Sequence, residues 1–350
     1  MFDSGDLTIR NLDDRDDAGC GRGILLAENP KMTADTEAIA AQAGGVSTRR
    51  GFAYVILTLT VLFLALNHVI GRAVHAEVPP VGLAFWRWAT AIIILLPFVW
   101  RRRKQSLPIF RANLLPLASL GCLMIGCTTV LLVALNYTTA INVALVNTTQ
   151  PALTVLFGWL FFRERLTLLQ IVGVSSALGG VFVILTKGDW QMLNTLDFNA
   201  GDVVALVGMC GFAIYALNIR KIPESLTSAE ALFAIIATGC VALFPVYVFE
   251  SVMYRPVPFN GTAIAAILTL AVFVSVFGML MWNVGNQIVG PKRASIFLNL
   301  LPVFGTVMAV VFLGERLYLY HLIGVFLVCL GIFLVIGRFK SNGNGKAINS

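Results

Sequence analysis

The sequence predicts an all-α polytopic membrane protein, with ten transmembrane helices arranged as two inverted five-helix repeats. Three observations predict it. Of 350 residues, 58% are hydrophobic and only 12% are charged, whereas a soluble domain carries about 25% charged residues. Between Phe52 and Gly337 the apolar residues fall into long runs separated by short polar breaks. Finally, one passage is written twice: "PALTVLFGWLFFRERL" begins at Pro151 and "PVFGTVMAVVFLGERL" begins at Pro302.

The runs cover 52–71, 81–100, 114–135, 140–162, 167–187, 202–220, 228–249, 262–284, 292–313 and 318–337. Each is close to the roughly 20 residues that cross a bilayer core as a helix. A soluble fold cannot bury ten such faces. Within hydrocarbon the backbone must satisfy its own hydrogen bonds, which leaves helices or a closed barrel. Barrel strands alternate in polarity, and these runs do not.

Lys and Arg set the orientation. With the N-terminus inside, the inner flanks hold Arg49, Arg50, Arg101, Arg102, Arg103, Lys104, Arg111, Arg163, Arg165, Arg220, Lys221, Lys292, Arg293, Arg338 and Lys340. The outer flanks hold only Arg72, Lys187, Arg255 and Arg316. This bias places both termini in the cytoplasm by the positive-inside rule, and the expected location is a cell inner (plasma) membrane. The net charge of +7 follows from topology. The one dense basic run, "RRRK" at 101–104, ends a spanning helix, so no nucleic-acid partner is expected.

Residues 1–50 are polar and lack apolar periodicity, and they read as a disordered cytoplasmic tail; residues 339–350 read as a second, shorter cytoplasmic tail. Of the six cysteines, Cys122, Cys127, Cys210, Cys240 and Cys329 fall within spans and Cys20 lies in the tail. That pattern suggests neither a disulfide framework nor a metal site.

The repeat extends beyond the opening pair. At an offset of 151, Glu164-Arg165-Leu166 meets Glu315-Arg316-Leu317, Gly173 meets Gly324, Gly180 meets Gly331, and Ala65-Leu66-Asn67 meets Ala216-Leu217-Asn218. The second helices match at 148, pairing Phe85 with Phe233 and Pro97 with Pro245. One unit therefore spans 51–187 and the other 202–338. Five helices is an odd number, so the second unit enters the membrane inverted relative to the first. Inverted repeats are the plan of many secondary transporters, whose sites lie between the halves.

These residues carry a family resemblance. The stretches "ALNYTTAINVALVNTTQPALTVLFGWLFFRERLTLLQIVGVSSALGGVFVI", "ASIFLNLLPVFGTVMAVVFLGERLYLYHLIGVFLVCLGIFLVI" and "LAFWRWA" resemble the drug/metabolite transporter superfamily, specifically its EamA-type, ten-helix, two-repeat permeases. The resemblance covers about 50–340. It implies a permease with a central cavity lined by both halves, moving small metabolites such as amino acids. It also places Arg87 where the family usually has an arginine in its second helix. The sequence departs from the family in its first helix, where Asn67-His68 stands and no tryptophan occurs.

Helical stripes mark candidate substrate-binding residues independently. In the fourth run Ala140, Ala144, Asn147, Pro151, Thr154 and Gly158 share one face, and Ser295, Asn299, Pro302 and Thr306 repeat it in the ninth. Small residues also serve close helix packing. Pro151 and Pro302 each remove a backbone donor and are candidate kinks. Asn67 and Asn218 are equivalent under the repeat. Arg87 lies about 9 Å inside the second helix at 1.5 Å per residue, a costly position that suggests anion binding or a snorkelling side chain. His68, Trp86, Tyr215 and Trp282 complete the set, as ring-bearing groups that either line a site or fill the bundle. Glu164 and Glu315 precede the next helix, whose N-terminal dipole favours an anion.

No Asp or Glu lies inside the ten spans away from their ends, which argues against a carboxylate proton carrier and a strongly cationic substrate. No phosphate-binding glycine loop or catalytic motif is present, so no cofactor or metal and no enzymatic activity are expected. The partners expected are a small-molecule substrate and the lipid bilayer, and a homodimer is compatible with the fold. The reading is a secondary transporter of neutral or zwitterionic metabolites. An intramembrane enzyme acting on a small or lipid substrate is the alternative, and it would need a polar catalytic cluster in one half.

Overall fold

The computed structural model describes residues 30–163, 166–187, 199–223, 225–289, 294 and 297–336. All described regular structure is helical. The chain divides into two units, residues 1–48 and 49–350. In the first, residues 30–48 are helical rather than disordered as expected. Their run of Ala, Glu and Gln favours helix; residues 1–29 lie outside the described residues.

The elements are α1 (Pro30–Ala73), α2 (Pro80–Trp100), α3 (Arg103–Ala112), α4 (Leu114–Tyr137), α5 (Ala140–Asn147), α6 (Gln150–Phe162) and α7 (Leu168–Leu185) in the first half. The second half holds α8 (Ala200–Asn218), α9 (Ser228–Met253), α10 (Gly261–Val289), α11 (Leu298–Leu313) and α12 (Leu319–Ile336). Among the described residues, seven helices are long and apolar enough to cross a membrane: Gly51–Ala73 of α1, and α2, α4, α7, α8, α9 and α10. The α5–α6 pair makes an eighth span, bent by 43°, and α11 and α12 are shorter apolar helices. These correspond to the ten expected segments. Large apolar side chains look outward, including Leu115, Phe161, Phe326 and Phe333, a surface suited to lipid.

Local chemistry starts and stops these helices. Thr167 and Gln170 form a reciprocal capping box at α7, and Thr227 and Glu230 form one at α9. Asn199 and Asn260 accept backbone N–H bonds at the starts of α8 and α10. The α5–α6 bend falls at Thr148-Thr149, with Pro151 in the first turn of α6, where its missing donor costs nothing. Pro302 likewise begins the α-helical part of α11, directly after that helix's opening 3₁₀ turn at Leu298–Leu300. The two helices end alike: Arg163 and Gly314, equivalent at offset 151, are both left-handed, with φ of 54° and 65°.

Packing shows the two-fold relation directly. Helices α7 and α12 cross with backbone in contact. A Cβ on Gly180 would lie 2.6 Å from the carbonyl oxygen of Gly324, and one on Gly331 would lie 2.4 Å from that of Gly173. Gly173 and Gly324 are equivalents, as are Gly180 and Gly331, so each contact is the other's image. Between them Ser176 donates to the carbonyl oxygen of Leu327, its own equivalent, at 2.9 Å. The pseudo-two-fold axis runs through that bond. A second crossing joins α4 to α9, where a Cβ on Gly239 would meet the Gly121 carbonyl oxygen at 2.4 Å.

Candidate functional site

Arg87 projects from α2 into the interior and is 1% exposed. Its guanidinium lies over the Trp88 ring, 4.6 Å from the centroid, and its Nη1 donates to Asn67 Oδ1 of α1. The remaining side edge of the fork, Nε and Nη2, is buried and has no hydrogen-bond partner in the protein. Those two groups point the same way, the geometry that grips a carboxylate with two parallel bonds. No carboxylate reaches them: the one ion pair among the described residues joins Arg102 to Glu230, at 3.9 Å.

Other buried polar atoms without a protein partner occur on the helices around Arg87. His68 Nδ1 is on α1, and Ser275 Oγ and Asn286 Oδ1 are on α10. Helix α2 packs against the part of α10 that runs as a π-helix, Leu270–Gly278, and Phe63 of α1 meets Phe273 of that segment at 5.5 Å between centroids. Helices α1, α2 and α10 thus each carry buried donors or acceptors of a kind that native interiors normally satisfy. The π-segment, a rare geometry frequent at functional sites, could not be read from an apolar stretch of sequence.

The sequence candidates separate into groups. Asn67 and Arg87 come together, and His68 is buried on α1 at the next position. Trp86, one residue from Arg87 and so on another face, joins an aromatic cluster instead. Its Nε1 donates to the Tyr247 hydroxyl at 3.1 Å, and it packs edge-on to Phe259. Asn218 does not mirror its equivalent Asn67: its amide donates to the carbonyl of Ile214 in its own helix, at 2.8 Å. The reason lies in the partner, since the position equivalent to Arg87 is Ile235. Asn147, Tyr215, Trp282 and Asn299 are half-buried. The small stripe of α5 serves packing, because a Cβ on Gly305 of α11 would lie 2.7 Å from that of Ala144.

Three acidic groups act differently from expectation or were passed over. Glu315 does not serve the helix that follows it. Its two oxygens accept the N–H groups of Ala140 and Ile141 at 2.8 and 3.0 Å, capping α5 across the repeats. Its equivalent Glu164 lies outside the described residues. Glu250 caps α2 in the same manner, from Val81 and Gly82 at 3.1 and 2.7 Å. Asp202 is fully buried at the start of α8, and its only sequence signal was an acid in the first turn of a helix.

Comparison with known proteins decides the family. The EamA-like transporter family model matches residues 51–186 and again 199–337. The chain belongs to the EamA-like transporter family. Among its relatives is the uncharacterized transporter YyaM of Bacillus subtilis, 28% identical over 82% of this chain and 94% of the relative. An uncharacterized transporter of Archaeoglobus fulgidus is 25% identical over 81% and 97%. The plant WAT1-related protein At4g15540 of Arabidopsis thaliana is 24% identical over 75% and 80%. A solved crystal structure shares the fold, with a TM-score of 0.53 at 17% identity over 82% of this chain and 97% of that one. The EamA architecture agrees with the two inverted five-helix halves seen here, in a multi-pass membrane protein.

Proposed function

We propose that this EamA-family protein is a secondary transporter, not an enzyme, that moves small zwitterionic or neutral metabolites, amino acids among them. It works by alternating access between its inverted repeats, in an inner membrane with both termini cytoplasmic, as the Lys and Arg distribution supports. The observation that carries the reading is the free side edge of Arg87. A buried guanidinium without an anion is costly, and an incoming carboxylate would complete it. Asn67 orients the fork through Nη1. The unpartnered His68 and Ser275 atoms are suited to bonding the rest of a polar solute. Asn147, Tyr215, Asn218, Trp282 and Asn299 remain candidates for the cavity wall, while the bonding of Asn218 and the clustering of Trp86 favour structural roles for those two.

Counterflow into proteoliposomes, with a panel of labelled neutral amino acids, tests the proposal. Uptake should exceed that of protein-free vesicles, and the solute should be recovered chemically unchanged. Counterflow should persist when the proton gradient is collapsed, and His68→Ala should lower the apparent affinity without abolishing counterflow. Recovery of a converted solute would refute the transporter reading in favour of catalysis. Loss of counterflow with the gradient would refute gradient-independent exchange.

A further inference from the structure

A second set of buried polar groups gathers at the end of the bundle remote from Arg101–Lys104. Asp202 there is 0% exposed and forms no ion pair among the described residues. Its carboxylate accepts from the Thr138 hydroxyl and, through both oxygens, from Asn142 Nδ2 at 3.1 Å each. Asn142 Oδ1 faces His321 Nε2 at 3.0 Å. His321 Nδ1 accepts the backbone N–H of Tyr318, also at 3.0 Å. With Nδ1 acting as acceptor, the neutral ring carries its proton on Nε2. Every donor then points along one path, from Tyr318 to Asp202.

The network joins the repeats. Thr138 and Asn142 lie at the α4–α5 junction of the first, and Asp202 and His321 begin α8 and α12 of the second. Each of the four side chains is at most 3% exposed. The backbones close up around them: a Cβ on Gly201 would lie 2.8 Å from the amide nitrogen of Thr138 and 2.9 Å from the carbonyl oxygen of Ala134. Glu315, capping α5 from the second repeat, reinforces the same junction.

The opposite end has its own buried polar link, Ser106 donating to Glu230 beside Arg102, but the described positions equivalent to Asp202 and His321 form no such network. At offset 151, Asp202 corresponds to Gly51, which is exposed and where a Cβ would meet nothing within 4 Å. His321 corresponds to Gln170, whose side chain turns back to cap its own helix at exposed Thr167. Two halves related by a two-fold axis would, on symmetry alone, close either end equally well. The Asp202 network is not duplicated at the described equivalent positions, and its groups are costly to separate.

We infer that the Asp202–Asn142–His321 network is a latch. It holds this end of the bundle shut and must come apart before the central site can open to this side. The Lys and Arg distribution assigns that side to the exterior. The inference rests on the alternating-access reading, but its test needs no substrate.

In a cysteine-free background, Asn147→Cys supplies a reporter roughly 7.5 Å along α5 from Asn142, at 1.5 Å per residue. An impermeant thiol reagent is applied from each side of oriented vesicles. Asp202→Asn and His321→Phe should each speed labelling from the Asp202 side by about tenfold, the effect of losing one charge-assisted or buried hydrogen bond. Both should slow labelling from the other side, and Gln170→Ala should change neither rate. An unchanged rate from the Asp202 side in a normally inserted variant overturns the latch. Equal acceleration from both sides, which general loosening would produce, also overturns it. If Asp202→Asn fails to insert, His321→Phe decides, and failure of both to insert assigns the network to folding and overturns the latch. A failed transport reading would appear differently, as absent counterflow with the labelling shift intact.

Discussion

Arg87→Met separates a binding role from a structural one because the two roles predict opposite signs. The guanidinium is 1% exposed, stacks on Trp88 and has one neutral acceptor, Asn67. Desolvating such an ion costs several kcal/mol, against about 1.5–3 kcal/mol for a hydrogen bond to a charged group and about 0.5–2 for the ring contact. The protein alone therefore gains little from the charge. Methionine keeps most of the apolar stem and removes the ion; apolar replacement of buried ion pairs is neutral or stabilising by about 1–4 kcal/mol, against about 1–3 kcal/mol for leaving Asn67 Oδ1 unpaired, so stability should be held or slightly raised. Binding should move the other way. A carboxylate on Nε and Nη2 makes two charge-assisted bonds, and at the low end of their range their loss removes about 3 kcal/mol, roughly 150-fold in Kd. Arg87→Lys keeps a point charge but not the fork, so its affinity should fall between the two. The assay pairs thermal unfolding in detergent with concentration-dependent counterflow. A markedly destabilised Arg87→Met, or a stable one with unaltered apparent affinity, would refute the reasoning.

Two further outcomes follow from the repeat. Gly331→Ala should destabilise by about 1–3 kcal/mol through overpacking, since its Cβ would press on the Gly173 carbonyl; Gly179→Ala, with nothing within 4 Å, should be neutral or stabilising by up to about 1 kcal/mol. A thermal-shift series on both variants checks the contrast. Single cysteines replacing Glu164 and Glu315 should label with an impermeant reagent from opposite sides, despite their matching sequence contexts; labelling from one side would contradict the inversion.

Much of the fold was legible because membrane insertion makes one-dimensional demands. Every span must be apolar and long enough, so Gly51–Ala73 through Leu319–Ile336 could be delimited by composition. A duplicated unit keeps its offset in sequence, so Gly173/Gly324 and Gly180/Gly331 announced the two-fold relation that their backbone contacts display. The bend at Thr148-Thr149 was foreshadowed by Pro151, whose missing donor acts locally.

The candidate site was legible only in part. Arg87 and Asn67 stood out because a charge and an amide are rare in apolar runs, but their mutual bond depends on the packing of α1 against α2. The repeat suggested that Asn218 would copy Asn67. It does not, because Ile235 replaces Arg87 and leaves the amide nothing across the interface. Glu315 was near a helix start in sequence, yet it caps α5 because the nearer N–H groups in space are those of Ala140 and Ile141. Asp202, Asn142 and His321 are far apart along the chain, and each alone resembles an ordinary helix-end residue. By itself, then, the sequence determined the solvent, the spans and the inverted duplication, which follow from hydrophobicity and periodicity. Tertiary structure alone decided which polar groups are partnered and which are not, because hydrogen bonds depend on distances between helices that the order of residues does not contain.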